Sequence, residues 1–159
     1  MNSFLSKLRQ ANSLLVTVCN SMQSLFLLFV RLYWGWQFMG DGWGKLHNLA
    51  KVTEYFGSLG LPMPGMTALF VSILELAGGF LLALGLGSRL IALLLTCNMT
   101  VAYITGDREA LLSIFSDPDK FFAAAPFTYL LASLIILIFG PGLFAVDTVV
   151  ERSFKRKKE

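Results

Sequence analysis

Leu25-Phe-Leu-Leu-Phe-Val-Arg31-Leu-Tyr-Trp-Gly35-Trp-Gln-Phe38 and Met66-Thr-Ala-Leu-Phe-Val-Ser-Ile-Leu-Glu75-Leu-Ala-Gly78-Gly79-Phe-Leu-Leu-Ala-Leu-Gly85-Leu86 decide the fold. Both belong to apolar segments long enough to cross a bilayer, which takes about 20 residues at 1.5 Å each. Each carries one charge in its interior, Arg31 in the first and Glu75 in the second. Holding one such charge at the membrane centre costs about 2.5–3.5 kcal/mol on insertion scales. Two of opposite sign are therefore expected to pair with each other or to line a polar site between helices.

The composition agrees. The chain has 159 residues, 55% hydrophobic and 14% charged, where soluble domains carry roughly 25% charge. Its mean hydropathy is +0.66. Four segments qualify as spans: about Ser24–Gly44, Met66–Leu86, Arg89–Thr105 and Phe127–Ala145. The expected fold is all-α: an integral membrane four-helix bundle preceded by an amphipathic helix. Residues 1–23 form that helix, with Phe4, Leu8, Ala11, Leu15, Val18 and Met22 at helical spacing and polar residues between them, a pattern suited to the membrane interface. Residues 24–146 form the four-span domain, and 147–159 a basic cytoplasmic tail.

Orientation follows from Lys and Arg. With four spans both termini share one side, which holds eight basic residues: Lys7, Arg9, Arg89, Arg152, Lys155, Arg156, Lys157 and Lys158. The other side holds four, Lys45, Lys51, Arg108 and Lys120, diluted by Glu54, Asp107, Glu109, Asp117 and Asp119. Both termini are therefore expected in the cytoplasm. The basic tail suits anionic lipid. Without interleaved aromatics it gives no reason to expect nucleic acid. Cys19 and Cys97 fall at different depths, so no mutual disulfide is expected, and there is no CxxC pair. Cys97 reads as a small packing residue. No metal site is expected, since His47 is a lone histidine.

Arg31, Gly35, Phe38, Gly42 and Lys45 are spaced four, three, four and three, and so share one helix seam. Ser72, Glu75, Gly79 and Leu82 make a matching stripe on the second span. Glycines there let two backbones approach closely. Counted from the membrane edges, Arg31 and Glu75 lie about 6 Å apart in depth, within reach of two long side chains. Asp41, Lys45 and His47 near the outer end of span one, with Asn98 in span three, extend this into a candidate polar cavity. The alternatives are a buried ion pair that only fixes helix register, a pocket for a ligand, and proton transfer through Glu75. At the inner end, Asp147 is expected either to cap the helix that follows it or to pair with Arg89.

Arg31-x3-Gly35-x6-Gly42-x2-Lys45-Leu46 resembles the opening motif of the DoxX/DoxD-like membrane family. Leu74-Glu75-Leu-Ala-Gly78-Gly79, with Leu84-Gly85-Leu-Gly87-Ser-Arg89, resembles its second motif, and Gly140-Pro-Gly-Leu-Phe-Ala-Val-Asp147 its ending. The resemblance runs from about Val30 to Asp147. It implies a multi-pass protein of a prokaryotic inner membrane, and a component of a redox or sulfur and thiol-stress system. Arg31, Lys45 and Glu75 would then serve a quinone or a small anion. The sequence has no flavin motif or cysteine pair, so a partner protein would carry the electrons. A non-catalytic assembly or scaffold role, as a homo-oligomer or with another protein, and a small-molecule or lipid carrier are the competing readings.

Overall fold

The computed structural model describes residues 2–156. The side chains of residues 2–8, Ala11 and Arg156, among them Phe4, Lys7 and Leu8, and residues 157–159 of the tail lie outside what it describes. Eight helices follow one another among the described residues: α1 (Asn2–His47), α2 (Leu49–Ser58), α3 (Pro64–Leu84), α4 (Ser88–Thr105), α5 (Arg108–Leu112), α6 (Pro118–Ala123), α7 (Pro126–Phe139) and α8 (Val146–Arg156).

The four apolar helices α1, α3, α4 and α7 close a ring, with α1 against α3, α3 against α4, α4 against α7 and α7 against α1. Leu27, Val30 and Phe38 of α1 meet Leu82 of α3, Ala92, Leu95 and Met99 of α4, and Ala132 and Ile136 of α7 in the core. The outward faces are also apolar: Phe29, Trp36, Phe70, Leu90 and Ile138 are exposed. A soluble protein rarely shows so much apolar surface. With its backbone satisfied inside helices, this bundle suits a bilayer. It is a membrane helical bundle.

The α1–α3 interface is the closest. A Cβ on Gly42 would stand 2.4 Å from the Leu76 amide nitrogen, and one on Gly79 2.6 Å from the Gly35 carbonyl oxygen. Only glycine permits this approach, so these residues lock the register of α1 against α3. The α3–α4 turn is equally constrained. Gly85 adopts φ +73° and ends α3, with Leu86 donating back to Leu81 O at 3.0 Å.

Three details differ from the sequence expectation. First, α1 runs without interruption through the expected junction between residues 23 and 24, because nothing there breaks the helix. Second, α7 is only 14 residues long: Gly140, at φ +80°, stops it well before Ala145. Third, the segment between spans one and two, to which the span boundaries gave no element, is partly helical. Leu49–Ser58 is helical, with Leu49, Val52, Thr53 and Phe56 half-buried along one face. Cys97 also faces outward rather than packing inside, and both cysteines are free.

Candidate functional site

The register set by the glycines decides which charges meet. Gly42 faces Ser72 and Leu76, and Gly35 faces Gly79 and Ala83, in antiparallel order. Glu75 thus lies level with about residue 40 of α1, some nine residues or about 13 Å beyond Arg31. The pairing of Arg31 with Glu75 expected from the sequence is not formed. Helical side chains lean toward the N-terminus of their helix. Lys45 therefore reaches back along α1, and its Nζ donates to Glu75 Oε2. Asn98 Nδ2, from α4, donates to Glu75 Oε1 at 3.0 Å. Three helices supply this cluster, and Glu75 is buried at 1% exposure.

The cluster opens onto a cavity of about 270 Å³ between α1, α2, α3, α4 and the start of α7. Asp41, Lys45, Glu75, Asn98 and Tyr129 give it polar groups on one side. Phe56, Leu59, Leu61, Val71, Met99 and Pro126 give it apolar walls. Tyr129 is held edge-on by Trp34 and Phe38, with ring centres 5.0 and 4.8 Å away. Ligand pockets commonly have this build: mostly apolar, with few and convergent polar groups. Tyr129 was not foreseen, because one aromatic inside an apolar run gives no distinguishing signal. Tyr55 and Phe56 were missed together with α2. His47 does not line the cavity. It sits on the exposed side of α1, with Nδ1 3.0 Å from the Trp43 carbonyl oxygen and its ring against the Trp43 indole. Among the described residues, no group of three or more His, Cys, Asp or Glu is placed to hold a metal ion.

Arg31 serves the other end of the bundle. It is fully buried, and its Nη2 donates to the Phe144 carbonyl oxygen at 2.8 Å. Its Nη1 fills the space beside Gly85, 1.7 Å from where a Cβ would stand. Phe144 lies in the non-helical stretch after α7, and irregular backbone near a membrane survives only where its polar groups are satisfied. Asp147 completes this junction. Its two oxygens accept from the Gly87 and Ser88 amides at 2.8 Å each, capping α4. Asp147 therefore neither caps its own helix nor pairs with Arg89, which packs beside Gly140 instead. Burial raises the Asp147 carboxyl, but the Ser88 and Gly87 amides and nearby Arg31 outweigh it and hold the group below the usual carboxylate range.

A ring of apolar helices defines a multi-pass membrane protein. The chain belongs to the DoxX family, whose model matches residues 26–108. A protein of Bacillus subtilis (strain 168) named "Putative oxidoreductase CatD" is 31% identical over 133 residues, which cover 82% of this chain and 89% of that protein. The family match includes Arg31, Lys45, Glu75 and Asn98 and ends before α7. No solved structure matches the chain significantly.

Proposed function

We propose that the protein is a membrane component of an oxidoreductase system, and that the Lys45–Glu75–Asn98 cavity takes the ring of a quinone-like carrier. The observation that carries this is a buried carboxylate, held by an ammonium and an amide, at the wall of an apolar cavity reached from five helices. A quinone takes two electrons and two protons to become a quinol. Lys45 and Asn98 are donors suited to an oxygen that gains negative charge. Glu75 is a carboxyl suited to exchanging a proton there. A partner protein delivers the electrons, and the relative's name supports a redox role. Sulfur or thiol-stress chemistry is the class of system that the family resemblance favours.

The lining favours this neutral ligand over a small anion. Asp41, Glu75 and Asp107 face the cavity against Lys45 alone, so an anion would meet net repulsion. At about 270 Å³ the cavity has room for a small ring, with any isoprenoid tail left to the bilayer. In this reading both termini are cytoplasmic, the membrane is the inner membrane of a prokaryote, and the cavity opens toward the outer leaflet.

The test is a titration of the purified protein with short-chain ubiquinone and menaquinone analogues. Saturable binding at one site is expected, weakened about 10–100-fold by Asn98→Leu, the value of a hydrogen bond to a charge-bearing group. No saturable binding, or affinity unchanged by Asn98→Leu in folded protein, would reject the reading.

A further inference from the structure

We propose that α1 is also the contact between two copies of this chain, which pair as a parallel coiled coil that starts outside the bundle and continues into it. Phe4, Leu8, Ala11, Leu15, Val18, Met22, Leu25, Phe29 and Leu32 recur at alternating steps of four and three residues. That is a period of 3.5, the repeat of one helix wound on another. Ahead of the bundle the positions farthest from the stripe are Ser6, Ser13 and Asn20, all polar, and the next in that series, Leu27, turns into the bundle core.

From Leu15 onward the structure leaves this stripe uncovered. Every residue from Asn12 to Gln23 is exposed, and the bundle begins only at buried Ser24. Leu15, Val18, Met22, Leu25, Phe29 and Leu32 are each more than half exposed. The polar side looks after itself: Thr17 donates to Ser13 O at 2.9 Å and Ser21 to Thr17 O at 3.0 Å. At 1.5 Å per residue the 46-residue α1 is about 69 Å long, against a hydrocarbon thickness of about 30 Å. An unbroken helix cannot both cross the membrane and turn to lie along its surface. The N-terminal half therefore projects beyond the bundle with an apolar stripe that water would leave unfavourably exposed.

A second copy fits this stripe better than an unrelated partner. Two copies inserted in one membrane share an orientation, so their α1 helices run parallel and present identical stripes in register, as a two-fold contact requires. The positions flanking the stripe between Asn12 and Ser21 are Asn12, Leu14, Cys19 and Ser21, none of them charged, so self-pairing brings no like charges together there. In this register Leu8, Leu15 and Met22 take one core position and Ala11, Val18 and Leu25 the other.

The test is oxidative crosslinking of the full chain in native membranes, in a Cys19→Ser, Cys97→Ser background. Val18→Cys and Leu25→Cys face their own copies across the two-fold axis and should give a band at twice the monomer mass, several-fold stronger than Asn20→Cys on the far side. The wild-type chain in lipid nanodiscs should show a dimer mass. Crosslinking without this phase, a product with a different protein, or a monomer mass for the wild type would each overturn the proposal. None of these outcomes depends on whether the cavity binds a quinone.

Discussion

Lys45 and Glu75 face each other from antiparallel helices, at the one level where the glycine-lined α1–α3 interface brings an ammonium opposite a carboxylate. Glu75 is buried while Lys45 keeps 31% of its side chain exposed. The pair thus joins a dry interior to the mouth of the cavity.

Removing one partner leaves a buried carboxylate alone. Lys45→Met is expected to cost up to about 3 kcal/mol, the low end for broken buried pairs because Lys45 is partly exposed. Lys45→Met with Glu75→Leu should recover most of that loss, since two apolar groups replace two charges. Thermal denaturation in detergent of the two single variants and the double variant measures this. Simple additivity would show that the two side chains do not interact.

Glycines on and off the interface should respond with opposite signs. Gly42→Ala puts a methyl group 2.4 Å from backbone, which cannot move aside, and should destabilise by about 1–3 kcal/mol. Gly44→Ala meets nothing within 4 Å and should stabilise α1 by up to about 1 kcal/mol through helix propensity. Equal shifts in melting temperature for the two variants would contradict the glycine-locked register.

Gly85→Ala should be worse than its left-handed backbone alone explains, because the new methyl group lands on Arg31 Nη1 and Ala145. Its cost should therefore depend on Arg31. Paired with Arg31→Met, the combined loss should fall short of the sum of the single losses by about 0.5–3 kcal/mol. Stability curves of the three variants decide it, and additive losses would place Arg31 away from this turn.

Asp147 ties stability to pH. Its carboxyl titrates below the usual value in the folded chain, so its contribution is fully present above the unfolded value of about 4 and is lost as pH falls through the lower folded value. Asp147→Asn should destabilise the fold by about 1 kcal/mol at pH 7 for a weakened cap, and should flatten the acid limb of the profile. An acid limb identical in wild type and variant would remove Asp147 from the account.

How much of this could be read in the chain depends on distance along it. The seam of Arg31, Gly35, Phe38, Gly42 and Lys45 is a local pattern, as is the stripe of Ser72, Glu75, Gly79 and Leu82, and both pack as their spacing indicates. Which charge meets which is not local. Counting from the membrane edges put Arg31 beside Glu75, whereas close contact at Gly42 and Gly79 shifts the helices so that Lys45 arrives there. Asp147 caps a helix that begins 59 residues earlier, a contact without a local signature. The helix α2 carries Leu49, Val52 and Phe56 half-buried along one face, but at 10 residues it is too short to register as a span. That hid Tyr55 and Phe56 from the candidate site.

The most direct test of a ligand cavity at Lys45, Glu75 and Asn98 is native mass spectrometry of the gently extracted protein, comparing wild type with Glu75→Gln, Asn98→Leu and Arg31→Met. The account predicts a co-purifying quinone on wild type that Glu75→Gln and Asn98→Leu lose, while Arg31→Met, less stable but remote from the cavity, retains it. Ligand-free wild type, or a quinone that persists in both cavity variants, would contradict the account and leave the buried pair as a fastening between helices.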